Sequence, residues 1–126
     1  MAGAEGGLAA GEALTIQVWR ERGYPIVAVA GEVDIATVSL LRERLFELAA
    51  SGCPLIADLD QTSSIGPAGI EVLVRAAQRA AEHGGCLQVV CARPQIRRLF
   101  MLTGAGNQIP LTRTFGGGAA SMLRAP

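Results

Sequence analysis

Apolar and polar residues alternate along residues 14–20 of the chain. The apolar face of this stretch is Leu14, Ile16 and Val18, and the mixed face is Thr15, Gln17 and Trp19. A period of two residues indicates a half-buried strand. Turn-forming residues at 21–24 and a continuous apolar run at 25–30 follow. The pattern therefore predicts a hairpin of an edge strand and a central strand.

Three later segments, residues 37–50, 67–83 and 94–103, repeat apolar residues at the spacing of an α-helix. The predicted inward residues are Val38, Leu41, Leu45 and Leu48, then Ile70, Leu73, Val74 and Ala77, then Ile96, Leu99 and Phe100. Thr37 is a candidate N-cap for the first helix, and a glycine lies just beyond the end of each helix.

Buried strands are predicted between and after these helices, at residues 55–57, 87–90 and 108–111. The order is ββαβαβαβ, with a weak final helix at 119–124, and it implies parallel pairing with right-handed crossovers. The sequence predicts a single α/β domain over residues 13–124, with a mixed sheet, an N-terminal hairpin and three to four helices. Residues 1–12 are rich in Gly and Ala, and we expect them to form a disordered tail.

Charge limits the classes of partner. The 11 basic and 11 acidic side chains cancel, and every basic residue is Arg. A chain without a clustered basic excess has no electrostatic basis for binding nucleic acid or an anionic membrane. No window approaches the roughly 18 apolar residues of a membrane span, and the N-terminus lacks the features of a secretion signal. We therefore expect a cytoplasmic protein without membrane insertion.

The three cysteines, Cys53, Cys86 and Cys91, are odd in number and lack the spacing of metal ligands. This pattern favours buried, reduced thiols. Cys86 and Cys91 are predicted on opposite faces of one strand, too far apart for a disulfide. Cys53 and Cys86 both lie near strand starts, so redox control through this pair is an alternative that the sequence leaves open.

The sequence shows no catalytic centre. His83 is the only histidine, and its place at a helix end before two glycines favours a role at the helix C-terminus. No Gly-rich phosphate loop is present. Asp58 and Asp60 could hold a cation, but two carboxylates alone are a weak basis for a metal site. We therefore expect a binding module without a cofactor or metal, and not an enzyme.

The richest polar stretch lies within residues 54–73, where a short strand leads through a turn to a helix beginning at Pro67. The turn includes the polar side chains of Asp58, Asp60, Thr62, Ser63 and Ser64. A helix N-terminus has unpaired amide donors and a partial positive charge, which suit an anion or a recognition surface. We expect the functional site at this junction.

Several short motifs occur in a recognisable order: Gly31-Glu32-Val33-Asp34, Asp58-Leu59, Ile65, Gly69-Ile70, the helix from Pro94-Gln95-Ile96 to Leu99, and Thr103-Gly104. In this order and spacing the chain resembles the STAS domain over roughly residues 14–123. That domain is the fold of bacterial anti-sigma factor antagonists and of the cytoplasmic tails of sulfate transporters.

This chain departs from the family's usual pattern at the regulatory turn. In antagonists this turn usually reads Asp-Ser-(Ser/Ala)-Gly-(Leu/Ile), and the partner anti-sigma kinase phosphorylates the first Ser. The unphosphorylated form binds that kinase and frees the sigma factor. Here the Asp position is Gly66 and the phosphoacceptor position is Pro67, whereas Ala68, Gly69 and Ile70 fit. Pro67 has no hydroxyl to accept phosphate, but it suits the first helical position.

The resemblance implies a partner and a surface. The implied partner is an anti-sigma factor, a serine kinase of GHKL-like fold, and the implied surface is Asp34, Ser63, Ser64, Gly66, Pro67 and Ala68. Regulation displaced to Thr62, Ser63 or Ser64 is an alternative, although Ser63 and Ser64 equally suit helix capping or turn amides. A second implied function is an accessory subunit beside the ATPase of an ABC-type lipid transport complex. The sequence also does not decide whether the chain forms a homodimer.

Overall fold

The computed structural model describes residues 4–10 and 13–113 of the chain. Its strands are β1 (Ala4–Ala10), β2 (Leu14–Glu21), β3 (Tyr24–Val33), β4 (Pro54–Asp58), β5 (Thr62–Ile65), β6 (Cys86–Val90) and β7 (Leu111–Thr112). Its α-helices are α1 (Val38–Ala49), α2 (Pro67–Glu82) and α3 (Pro94–Leu102), and a 3-10 turn spans Ala105–Asn107. The α/β class and the mixed sheet predicted from the sequence are confirmed.

The seven strands form one sheet in the order β1-β2-β3-β4-β6-β7, and β5 pairs with β3 off this path. The strands β1, β2 and β3 pair antiparallel, and every other pair is parallel. Residues Arg22 and Gly23 join β2 to β3 with φ angles of 54° and 85°. Two positive φ values are what a two-residue hairpin turn matched to strand twist requires.

One face of the sheet packs against the helices. Buried side chains from alternate strand positions meet those of α1, α2 and α3 in one cluster, which includes Leu14, Ile16, Val27, Val29, Leu55, Ala57, Leu87 and Val89. The buried stripe of α2 is wider than predicted, since Val72, Ala76 and Ala80 join Ile70 and Leu73. This helix contacts α1 as well as the sheet, and the Arg79 guanidinium lies 5.8 Å from the centre of the Phe46 ring of α1.

The other face of the sheet carries a smaller apolar cluster. Ile26, Ile56 and Val90 are fully buried there, and Trp19 and Tyr24 pack against them. These residues alternate along their strands with members of the larger cluster, so they point away from the helices. Burying an Ile or Val side chain fully contributes about 1.5–3 kcal/mol, so both faces contribute to the stability of the sheet.

The expected disordered tail at 1–12 needs a correction, because Ala4–Ala10 pairs with β2 as a strand. Gly and Ala offer little apolar surface for a core, and the sequence pattern therefore favoured disorder. A strand at a sheet edge, however, presents free amide and carbonyl groups that pair with any extended backbone. The predicted final helix at 119–124, and with it the domain end at 124, lies outside the described residues.

Two further boundaries differ from the prediction. Residues 62–65 are the strand β5, although their hydroxyl groups suggested a turn. The long strand β3 explains this pairing, since β4 pairs with its residues 26–28 and leaves residues 31–33 to β5. The strand predicted at 108–111 is displaced, because Ala105–Asn107 forms a 3-10 turn and β7 begins only at Leu111. Segments of about four residues are too short for their periodicity to define where a strand begins and ends.

Candidate functional site

The loop between β3 and α1 is closed by reciprocal hydrogen bonds. Asp34 Oδ1 accepts from the amides of Ala36 at 2.9 Å and Thr37 at 3.1 Å. Thr37 Oγ1 accepts from the Asp34 amide at 3.0 Å and donates to the Glu32 carbonyl oxygen at 2.9 Å. Thr37 does occupy the N-cap position, but its side chain makes no capping bond into α1. The Thr37 hydroxyl instead holds the end of β3, and the Asp34 carboxylate satisfies the loop amides.

This closed loop directs one apolar side chain outward. Ile35 lies between the two hydrogen-bonded residues and is 87% exposed. The start of β5 is anchored to β3, because the Gly31 amide donates to the Gln61 carbonyl oxygen at 3.1 Å. Gly31 itself has a φ of 109°, and a Cβ there would overlap the Ala13 carbonyl oxygen. The first residue of the Gly-Glu-Val-Asp motif therefore allows the close backbone approach of neighbouring segments.

The hydroxyl residues of β5 have different environments. Thr62 is fully buried, and its Oγ1 donates to the Val29 carbonyl oxygen at 2.8 Å. Ser63 and Ser64 are exposed, and Ser64 pairs with Glu32 of β3. Neither serine caps α2, since the cap residue is Gly66 and no side chain caps that helix. The burial of Thr62 argues against a phosphoacceptor at this position.

The helix α2 begins where β3 and β5 end. The Gly66 amide donates to the Val33 carbonyl oxygen at 2.9 Å, which ties the helix start to the sheet. Pro67 follows as the first helical residue and is exposed, and the Gly69 and Ile70 amides both donate to the Gly66 carbonyl oxygen. A proline fits this position because an amide there has no partner within the helix.

A shallow apolar groove of about 460 Å³ lies between the loop and the helix start. Asp34, Ile35, Gly66, Pro67, Ala68 and Glu71 line it. The structure thus brings together four of the six residues predicted for partner binding. Ser63 and Ser64 lie on the strand that leads to the groove but do not line it. We refer to these six lining residues as the Ile35 groove.

Two of the lining residues, Glu71 and Ile35, are not among the site residues predicted from the sequence. Glu71 lies one turn into α2 and accepts from Arg75 Nη2 at 3.2 Å. Ile35 had a recognisable signal, since it is an apolar residue placed before the helix and outside its apolar stripe. A large apolar side chain without a place in either periodic pattern indicates an exposed residue.

The acidic pair at the end of β4 accepts hydrogen bonds from backbone amides. The Asp60 amide donates to Asp58 Oδ1 at 3.0 Å, and the Ala92 amide donates to Asp60 Oδ1 at 2.8 Å. Burial raises the pKa of the Asp58 carboxyl, the Asp60 amide partly offsets this, and the Asp60 charge adds to it. Among residues 4–10 and 13–113, no cluster of His, Cys, Asp and Glu could hold a metal ion.

The three cysteines are free thiols. Cys86 pairs with Pro54 across β4 and β6, and Cys53 immediately precedes Pro54 at the start of β4. Burial raises the pKa of the Cys86 and Cys91 thiols, which lowers the thiolate fraction that oxidation requires. His83 is the C-cap of α2, and its Nδ1 lies 2.9 Å from the Arg79 carbonyl oxygen.

Comparison with known protein families matches residues 15–117 to the STAS domain. The chain belongs to the STAS domain family. Among curated relatives, it is 32% identical over 92 residues to the anti-sigma-B factor antagonist of Bacillus subtilis, covering 73% of this chain and 84% of that one. It is 24% identical over 76 residues to the anti-sigma-F factor antagonist RsfB of Mycobacterium tuberculosis, covering 60% and 62%.

A solved structure shares the whole STAS fold. The crystal structure of an anti-sigma factor antagonist from Mycobacterium paratuberculosis superposes with a TM-score of 0.80 at 28% identity, covering 91% of this chain and 98% of that one. The resemblance stated from the sequence motifs is therefore confirmed at the level of family and fold. Within the part of this STAS domain that the structure describes, no helix is long and apolar enough to cross a membrane.

Proposed function

We propose that this STAS domain is an anti-sigma factor antagonist that acts by binding, without catalysis. The observation that carries the proposal is the Ile35 groove, where Asp34 and residues 66–68 meet at the carboxyl ends of β3 and β5. Ligand and partner sites in α/β folds lie at this edge of the sheet. The relatives compared above are named as antagonists of anti-sigma factors, which supports a partner of that class.

The proposed partner is a cytoplasmic anti-sigma factor with a GHKL-like serine kinase fold. Binding would sequester this protein and so release its sigma factor for transcription. The same relatives do not favour the alternative of an accessory subunit beside a transporter ATPase, and no feature of the groove is specific to that role.

Regulation differs from the family pattern at Pro67. A phosphate carries a charge of about −2, and in this apolar groove it would have to lose its hydration when a complex forms, which disfavours binding. Pro67 has no hydroxyl, so this STAS domain is proposed to bind its partner without being switched off at that position. If phosphorylation were displaced within this stretch, Ser63 and Ser64 are the exposed hydroxyls that would accept it.

The test uses each anti-sigma factor of the source organism, purified separately. Isothermal titration calorimetry with the wild-type chain measures binding, and mass spectrometry after incubation with ATP locates phosphate. We expect one anti-sigma factor to bind and to leave residues 62–68 unmodified. We also expect the Pro67→Ser variant to become phosphorylated at residue 67.

Two results would contradict this proposal. Binding to none of the anti-sigma factors would remove the antagonist function. Phosphate on Ser63 or Ser64 of the wild-type chain would leave that function in place but show that the regulatory site had moved. The variants Ser63→Ala and Ser64→Ala then identify which hydroxyl is used.

A further inference from the structure

Ile35 is an exposed apolar residue that the loop around it does not need for its own structure. It is 87% exposed, and it lies in a loop whose conformation is held by Asp34 and Thr37 rather than by its own packing. A large apolar side chain that stays in water forgoes the stabilisation that burial would give it. Nothing in the loop hydrogen bonding needs an apolar residue at this position.

The groove beside Ile35 is apolar at its base and acidic at its rim. Pro67 and Ala68 supply the apolar part from α2, and the carboxylates of Asp34 and Glu71 lie among the lining residues. Arg75 contacts Glu71, but both side chains are 63% exposed, and an ion pair that is so exposed contributes little. An incoming guanidinium or ammonium group can therefore replace Arg75 at small cost.

We infer that Ile35 is the apolar anchor of the interface and that the groove selects a partner surface with an apolar side chain beside Arg or Lys. This inference rests on the proposed antagonist function and specifies the chemistry of its partner. The apolar side chain of the partner lies between Ile35 and Pro67, and its basic neighbour pairs with Asp34 or Glu71. Anchors of this kind contribute most when neighbouring contacts exclude water.

Because the acceptor position is Pro67, apolar burial replaces hydroxyl recognition in this STAS domain. Pro67 offers the partner a rigid apolar ring and neither a hydroxyl nor an amide donor. Specificity then depends on the shape of the groove and on the carboxylates at its rim. Ile35 is consequently the specificity-determining residue, and Asp34 and Glu71 set the preferred sign of charge on the partner.

The test compares variants for binding to the same purified anti-sigma factors. Ile35→Ser is expected to raise the Kd at least about tenfold, or about 1.4 kcal/mol, and Ile35→Val to restore most of the affinity. The matched control is Met101→Ser, because Met101 is also an exposed apolar residue, at 77%, and lines a separate depression. Its Kd is expected to equal that of the wild type.

The charge requirement has its own variants. Asp34→Asn keeps a side-chain oxygen for the Ala36 and Thr37 amides, so the loop keeps its shape while one charge is lost. Together with Glu71→Gln, it is expected to raise the Kd and to reduce the salt dependence of the association rate. Unchanged salt dependence in the double variant overturns the basic character assigned to the partner.

The outcomes separate this inference from the function on which it rests. Binding by none of the anti-sigma factors to the wild-type chain overturns both. Wild-type binding that Ile35→Ser leaves unchanged overturns the inference alone. Sedimentation of the free chain tests whether a second copy of this chain occupies the groove. Self-association that Ile35→Ser abolishes would assign the groove to that second copy and overturn the inference. Equal melting temperatures across the variants show that folding is intact.

Discussion

Gly69 is the position at which packing of the site can be tested most directly. A Cβ built on this residue of α2 lies 2.6 Å from Ile65 Cγ1 and 2.6 Å from Val33 Cγ1. Both neighbours are buried, at 5% and 1% exposure, so neither has free space to move into. The substitution Gly69→Ala therefore forces α2 away from the ends of β3 and β5.

Two opposing effects set the magnitude. Replacing Gly by Ala inside a helix contributes about 1 kcal/mol of stability through backbone entropy. Overpacking a dense core costs about 1–3 kcal/mol, and the upper part of that range applies because two branched, buried side chains are met at once. We expect overpacking to win by about 1–2 kcal/mol. For a domain of this size that lowers the melting temperature by roughly 4–8 °C.

The measurement is thermal unfolding followed by circular dichroism. Gly106→Ala is the matched control, since a Cβ at Gly106 meets its nearest atom, the Phe100 carbonyl oxygen, at an ordinary 3.6 Å. This control is expected to keep or slightly raise the melting temperature. If Gly69→Ala unfolds at or above the wild-type temperature, then α2 is not held against β3 and β5 as closely as described. The positions of Pro67 and Ala68 beside Ile35 would then need another explanation.

Two further predictions concern a buried hydroxyl and a half-buried carboxyl. Thr62→Val is expected to lower the free energy of unfolding by about 1–3 kcal/mol, because the Val29 carbonyl oxygen loses its buried donor; chemical denaturation measures this, and the exposed Ser63→Val should change it little. Asp58→Asn is expected to stabilise the fold increasingly as the pH rises above about 4, because a raised carboxyl pKa adds stability only at low pH and loses it as the group ionises. An effect of Asp58→Asn that is the same below and above this pH would contradict the partial burial of Asp58.

The order of elements was accessible from the sequence because strong periods set it. Leu14, Ile16 and Val18 are separated by single polar residues, and the stripe of α2 recurs at helical spacing from Ile70 to Ala77. The structure confirms both elements, and the hairpin turn at Arg22 and Gly23 lies within the predicted residues 21–24. In each case many residues contribute to one pattern, so local exceptions do not change the outcome.

The parts that the sequence did not reveal depend on tertiary partners. Thr62 has the side chain of a turn residue, and only the unpaired end of β3 makes it a buried strand residue. Thr37 occupies an N-cap position, but the Glu32 carbonyl oxygen attracts its hydroxyl away from the helix. The groove depends on Ile35 of the β3–α1 loop approaching Pro67 and Glu71 of α2, and no spacing along the chain encodes that approach.

The closed loop from Asp34 to Thr37 has a thermodynamic consequence for any complex. Fixing the backbone of one residue costs about 1–2 kcal/mol of conformational entropy, and here folding has already met that cost through the bonds between Asp34 and Thr37. Binding therefore begins from a preorganised surface, and less of the contact energy is lost to ordering. A small interface on this loop can form quickly and still discriminate among closely related partners.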